Sequence, residues 1–291
     1  MHTTIFPNTK PFLKLLAFFG MFIGMLLVAS GVSLLVPLFG GDITATRTLL
    51  WMQCITQLLT FLVPVVLFVL FYESDERGFL KADFSGRSWL QAVAAMVIML
   101  LLVPVIDVVT QWNDGWHFAE PMEGVLRQIT ERSQQIVESF MADASVTGLM
   151  LNILIIALVP AVCEELFFRC VVQQTCHKWF KNGHVAIFVT AILFSMAHGE
   201  VYAFVPRVLM GVVLGYLFYY GRSVLVNICA HFLNNALIAV LYFLYHRDVI
   251  GFAPDKLPSF DWWWIAIFTL AAVALFFVTF IIFHKSGRDN D

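Results

Sequence analysis

Charge is the first thing this sequence lacks. Only 13% of its 291 residues are Asp, Glu, Lys or Arg, and 60% are hydrophobic, whereas soluble globular domains carry about 25% charged residues. That deficit excludes an ordinary soluble domain and points to an integral membrane protein, whose apolar side chains face lipid as well as one another. Basic runs are missing too, and the net charge is −3, which removes nucleic acid as a partner. Cysteine is sparse and odd in number: Cys54, Cys163, Cys170, Cys176 and Cys229 contain no CxxC pair. Neither a disulfide framework nor a four-cysteine metal site fits, so these side chains read as small buried hydrophobes. There is no internal repeat, low-complexity tract or soluble catalytic domain. Any chemistry must lie in the membrane part.

Long apolar runs are what the chain has in abundance. A spanning helix needs about 20 mostly apolar residues, and that rule predicts an all-α, polytopic architecture of about eight transmembrane helices. They fall at 12–38, 49–72, 89–110, 148–170, 184–198, 203–220, 223–245 and 264–283, and 1–291 reads as a single membrane domain. Lys10 and Lys14 before the first run resemble a signal peptide, but the apolar stretch continues to Phe39, which favours an uncleaved anchor. With both termini cytoplasmic, Lys10, Lys14, Arg77, Lys81, Arg87, Lys178, Lys181, Arg222, Lys285 and Arg288 lie inside. Arg47, Arg127, Arg132, Arg207, Arg247 and Lys256 lie outside. Ten against six obeys the positive-inside rule, and Trp262, Trp263 and Trp264 stand where the last span enters the bilayer. One acidic external loop, 111–147, carries Val125, Leu126, Ile129, Ile136, Val137, Phe140 and Met141 at near-helical spacing. It reads as an amphipathic helix on the membrane surface or over the bundle. Interfacial anchoring is the favoured reading, and gating of lateral access the second.

Within the spans, ionisable residues cost about 2.5–3.5 kcal/mol each on insertion scales and usually face the bundle interior. They cluster in three places: Glu164, Glu165 and Arg169 in the fourth span, His198 at the end of the fifth, and His231 with Asn235 in the seventh. Glu164 lies 18 residues before Asn182, and His198 lies 15 after Gly183. At 1.5 Å per residue, they stand roughly 27 and 23 Å from a shared turn. His231, 10 residues past Gly221, is about 15 Å from its own turn. A common layer is therefore expected. Glu165 and Arg169 are an i,i+4 pair able to neutralise one another, as are His231 and Asn235 in facing the same way. Glu164, turned about 100° from Glu165, is left free.

A free glutamate, two histidines and an amide suit amide hydrolysis. A glutamate in a dry site takes a proton from water; histidine orients that water, donates to an oxyanion or ligates zinc; asparagine donates to an oxyanion. Taken singly, each feature has a plainer reading: a structural ion pair, an interfacial histidine, helix–helix hydrogen bonding. Coincidence of all three at matching depth favours chemistry.

The segments Glu164-Glu165-Leu-Phe-Phe-Arg169, Phe194-Ser-Met-Ala-His198 and His231-Phe-Leu-Asn-Asn235 resemble the EExxxR, FxxxH and HxxxN motifs of the CAAX-protease and bacteriocin-processing (Abi) family of intramembrane proteases. All three are intact and in family order, over about 148–242, and the motif-bearing core is expected at 148–245, spans four to seven. A glycine common after the arginine is Cys170 here. The resemblance implies an eight-helix membrane peptidase. In it Glu164 activates water with His198, His231 and Asn235 stabilise the oxyanion, and Glu165 and Arg169 support the first glutamate. The cofactor stays open: zinc, held by Glu164, His198 and His231, is the alternative to an unaided glutamate, which is favoured because HExxH is absent. The expected substrate is a membrane-associated peptide or protein, and the expected location a prokaryotic plasma or inner membrane. The oligomeric state is not determined by the sequence.

Two rivals remain. One is a non-proteolytic membrane partner, immune or regulatory, that binds another membrane protein. The other is a transporter, because buried carboxylates also relay protons, though no duplicated inverted halves are present. Gly211-Val-Val-Leu-Gly215 reads as close helix packing. Serine and aspartyl intramembrane proteases are excluded: there is no GxSxG, and Asp107 stands alone near the end of its span.

Overall fold

The computed structural model describes residues 5–39, 41–42, 45–254, 257–258 and 260–282. Lys256, Lys285 and Arg288, which enter the charge comparison, lie outside the described residues, as does residue 283 at the expected end of the last span. All regular structure among the described residues is helical. Seven helices are long and apolar enough to cross a bilayer, which makes this a multi-pass membrane architecture. In chain order the elements are α1 (Pro11–Phe39), α2 (Thr46–Tyr72), α3 (Gly86–Asp114), α4 (Met122–Met141), α5 (Val146–Phe180), α6 (Gly183–Met196), α7 (Val201–Gly221), α8 (Val224–His246) and α9 (Trp262–Ile281). A single turn, Glu76–Leu80, joins α2 to α3.

Seven of the eight expected spans are long enough to cross; the eighth, α6, is not, and α5 is the element that departs most in length from expectation. Helix α5 runs to Phe180 rather than residue 170, 35 residues in all, or about 52 Å, well beyond the hydrocarbon thickness. Polar side chains hid this extension from hydropathy, and the fold gives their amide N–H groups partners: Gln173 donates to the Gly215 carbonyl and Gln174 to the Phe79 carbonyl. Helix α6 has only 14 residues, about 21 Å, less than a full crossing. Asn182 caps it by accepting from the His184 and Val185 N–H groups, and its other end is at Met196, two residues before His198. Gly199, at φ +69°, turns the chain immediately afterwards into a region that L side chains rarely adopt.

Packing brings the polar residues inward. Gly211 and Gly215 let α7 approach α6 so closely that a Cβ built on Gly211 would stand 3.0 Å from Ala191 Cα. An aromatic core braces α5: Phe167 packs on Phe18, Phe22, Phe61 and Phe168, and Phe168 on Phe194. Pro64 and Pro160 each lack a backbone N–H, and a wide π-helical stretch precedes each, at Leu58–Leu62 and Ile153–Leu158. Such turns accommodate the missing bond and are common at functional sites.

Helix α4 forms within the acidic loop, whose first residues, 111–114, belong to α3. Its Met122, Val125, Ile129 and Ile136 face outward, while Thr130, Phe140 and Met141 are buried. Polar contacts tie it to the bundle. The Tyr202 hydroxyl donates to Glu123 at 2.7 Å, Arg127 stacks over the Tyr202 ring at 3.6 Å, and Ser133 donates to Glu200. The Tyr202 hydroxyl, followed by the Phe118 N–H and Arg127, holds the Glu123 carboxyl down at about 2. At the start of α9, Trp262 is 80% exposed, as a girdle residue should be.

Candidate active site

Glu164 ends an α-helical stretch of α5 and Glu165 begins a π-helical one, Glu165–Gln173. The two neighbouring carboxylates turn to different partners. Glu165 and Arg169 are both fully buried, with Arg169 Nε donating to Oε2 at 2.8 Å and Nη2 to Oε1 at 3.5 Å. Asn227 Nδ2 also donates to Glu165 Oε2, at 3.1 Å, and His231 Nδ1 lies 3.0 Å from Oε1. A carboxylate accepts only, so the proton of that last bond sits on Nδ1 and His231 is clamped with Nε2 forward. Glu165 therefore does more than offset Arg169: it holds a histidine of another helix.

Glu164 is 6% exposed. Its Oε1 accepts from Gln57 Nε2 at 2.6 Å. Oε2 has no hydrogen-bond partner among the described residues and lies 3.9 Å from His231 Nε2. His198, just past the end of α6, donates from Nδ1 to the Phe194 carbonyl at 2.8 Å, because a carbonyl can only accept. Its Nε2 is thereby left for other partners. The FxxxH spacing is thus one helical turn that orients the histidine.

Glu164, His198, His231 and Asn235 all line one cavity of about 550 Å³, between apolar walls from Phe61, Val137, Met141, Ile156, Met210 and Ile238. Four of the six residues singled out by sequence meet there, from α5, α8 and the turn that follows α6. Glu165 and Arg169 do not line it and stand behind Glu164 and His231. Glu164 and His231 are deeply buried, and His198 is exposed at the rim.

Sequence reasoning missed Gln57 and Asn227, both buried and both bonded to a motif glutamate. Asn227 had a legible signal, since 227, 231 and 235 repeat every four residues along α8. Gln57 had none beyond being an amide within an apolar run. Gln53, Asn234, Glu200 and Arg207 also reach the cavity.

Both histidines have the donor chemistry of zinc ligands, with Nδ1 anchored and Nε2 forward. Among the described residues, however, no three His, Cys, Asp or Glu side chains converge into a metal-holding group. Glu164, His198 and His231 share the cavity without closing on a common point, so no chemical step is routed through a metal.

Residues 146–237, about a third of the chain, match the family model for type II CAAX prenyl endopeptidases, Rce1-like. No curated protein and no solved structure matches the chain.

Proposed function

We infer that this chain, whose segment 146–237 belongs to the type II CAAX prenyl endopeptidase, Rce1-like, family, is an intramembrane endopeptidase acting on a membrane-associated peptide or protein. The observation that carries this reading is the convergence of Glu164, His198, His231 and Asn235 on one cavity, with the buried Glu164 Oε2 left without a hydrogen-bond partner among the described residues.

The chemistry follows from the atoms. Gln57 occupies Oε1 of Glu164, so Oε2 is the oxygen that takes a proton from water, with His198 Nε2 orienting that water. The water oxygen bonds to the scissile carbonyl carbon. The resulting oxyanion accepts from Asn235 and from His231 Nε2, the latter in its imidazolium form against the Glu165 carboxylate. As the C–N bond breaks, Glu164 returns its proton to the leaving nitrogen, and the enzyme is restored. Glu165, Arg169 and Asn227 hold His231 at the angle this requires. Zinc held by Glu164, His198 and His231 would instead polarise the carbonyl or the water. The unaided glutamate is favoured because the three do not close on a point.

In the proposed setting the chain lies in a cell membrane with both termini cytoplasmic. A non-proteolytic binding role is the second reading, since motif residues and cavity alone also suit a partner-binding protein.

The test compares purified wild type with Glu164→Ala for cleavage of a peptide library in detergent, with and without chelator. Cleavage by wild type alone supports the reading, and equal cleavage by both proteins sinks it. No cleavage by either favours the binding role. Activity lost to chelator and restored by zinc would replace the unaided glutamate by the metal.

A further inference from the structure

Each polar group in the proposed chemistry has two ends, and the fold decides which end is left for the substrate. Glu165 occupies Nδ1 of His231, the Phe194 carbonyl occupies Nδ1 of His198, and Gln57 occupies one oxygen of Glu164. Asn235 poses the same problem more sharply. Its amide carries a donor, Nδ2, at one end and an acceptor, Oδ1, at the other, related by a half-turn about the last side-chain bond. Only the donor end stabilises an oxyanion, and the acceptor end repels it.

The preceding residue settles that choice. Asn234 Nδ2 donates to Asn235 Oδ1 at 3.3 Å, the only hydrogen bond to the Asn235 side chain among the described residues. Both amides are half-buried, and both line the cavity with His231 and Ile238. Asn234 and Asn235 lie three and four residues past His231 on α8, so both share the histidine's side of the helix. With Oδ1 engaged, Asn235 has Nδ2 left for a new acceptor. Asn234 itself is no part of the EExxxR, FxxxH or HxxxN spacing.

We propose that Asn234 is a positioning residue for the oxyanion site: its side-chain N–H holds the Asn235 amide with Nδ2 towards the scissile carbonyl. The proposal rests on the endopeptidase reading, and Asn234 acts through Asn235.

The experiment takes a peptide that wild type cleaves and measures kcat and KM in detergent for Asn234→Leu and Asn234→Asp, each alone and combined with Asn235→Ala. Leucine removes the bond and frees the amide to face either way, so the competent half of the population predicts about a two-fold fall in kcat. Aspartate keeps the shape but only accepts, so it turns Asn235 round by accepting from Nδ2. Undoing a bond to a charged group in each turnover predicts a fall of about 10- to 150-fold in kcat, with KM little changed. In Asn235→Ala no amide remains to turn, and neither Asn234 substitution should lower kcat further by more than about two-fold.

A role in merely holding the helix predicts the reverse order, because aspartate can keep a bond to Asn235 and leucine cannot. Leucine as harmful as aspartate, or aspartate with wild-type kcat, therefore overturns the proposal. An aspartate effect equally large in Asn235→Ala also overturns it, since the added charge then acts without the amide. If Asn234→Asp does not elute as wild type does, Asn234→Leu decides: a two-fold fall that vanishes in Asn235→Ala supports the role, and one that persists there, or no fall, overturns it. Cleavage of no peptide by wild type removes the endopeptidase reading and this proposal with it, whereas cleavage indifferent to Asn234 removes the proposal alone.

Discussion

Removing Arg169 should cost the protein much of its stability, and removing Glu165 with it should restore most of that loss. The pair is fully buried at 2.8 Å, where two unit charges attract by about 6 kcal/mol at an effective dielectric of 20. Arg169→Met fills similar space but leaves the Glu165 carboxylate in the core without its cation. Breaking a buried pair in this way costs about 3–5 kcal/mol. Asn227 and His231 still donate to Glu165, at 3.1 and 3.0 Å, which places the expected loss at the lower end, about 3 kcal/mol. In Glu165→Gln/Arg169→Met no charge is stranded, and replacing a buried pair by neutral groups is often nearly neutral in stability. Reversible unfolding in mixed micelles, with folded yield after extraction, measures both variants in a double-mutant cycle. The reasoning is refuted if Arg169→Met loses under about 1 kcal/mol, or if the double variant is no more stable than the single. A folded double variant should still be inactive, because His231 loses its carboxylate clamp.

Gln57→Leu removes the donor 2.6 Å from Glu164 Oε1; a bond to a charged group contributes about 1.5–3 kcal/mol, so kcat/KM should fall about 10- to 150-fold. Stability should fall as well, by about 1–3 kcal/mol, because the buried carboxylate loses its donor, and an unchanged rate would remove Gln57 from the positioning of Glu164. Gly215→Ala tests the α6–α7 contact: the added Cβ would meet Ile187 Cγ2 at 2.7 Å and Gln173 Oε1 at 3.2 Å, an overpacking worth about 1–3 kcal/mol. Adding Ile187→Ala should recover part of that stability, and no loss in the single variant would mean that the helices part freely there.

Much of the site was legible because it breaks the rule of its surroundings. In a chain so poor in charge, Glu164, Glu165, Arg169, His198, His231 and Asn235 stand out against apolar neighbours, and helical spacing pairs Glu165 with Arg169 before any coordinates exist. The GxxxG at Gly211 and Gly215 was legible in the same way, and it marks a close approach of α7 to α6. The partners of those residues were not legible. Gln57 precedes Glu164 by 107 residues, and nothing in its own helix distinguishes it from a solvated amide until α2 packs beside α5.

What the sequence determined by itself is local in origin: helical spans, because the bilayer demands internally satisfied backbone and about 20 apolar residues, and the pairing of side chains one turn apart. The helix ends at 170 and 180 differ because hydropathy cannot see that Gln173 and Gln174 find carbonyls on other helices. Tertiary structure alone decided which carboxylate serves which partner. Glu164 and Glu165 are adjacent in the chain and chemically identical. Helical spacing already pairs Glu165 with Arg169; only the packing of α2 and α8 against α5 adds Asn227 and His231 to Glu165, gives Gln57 to Glu164, and leaves the other Glu164 oxygen without a hydrogen-bond partner among the described residues.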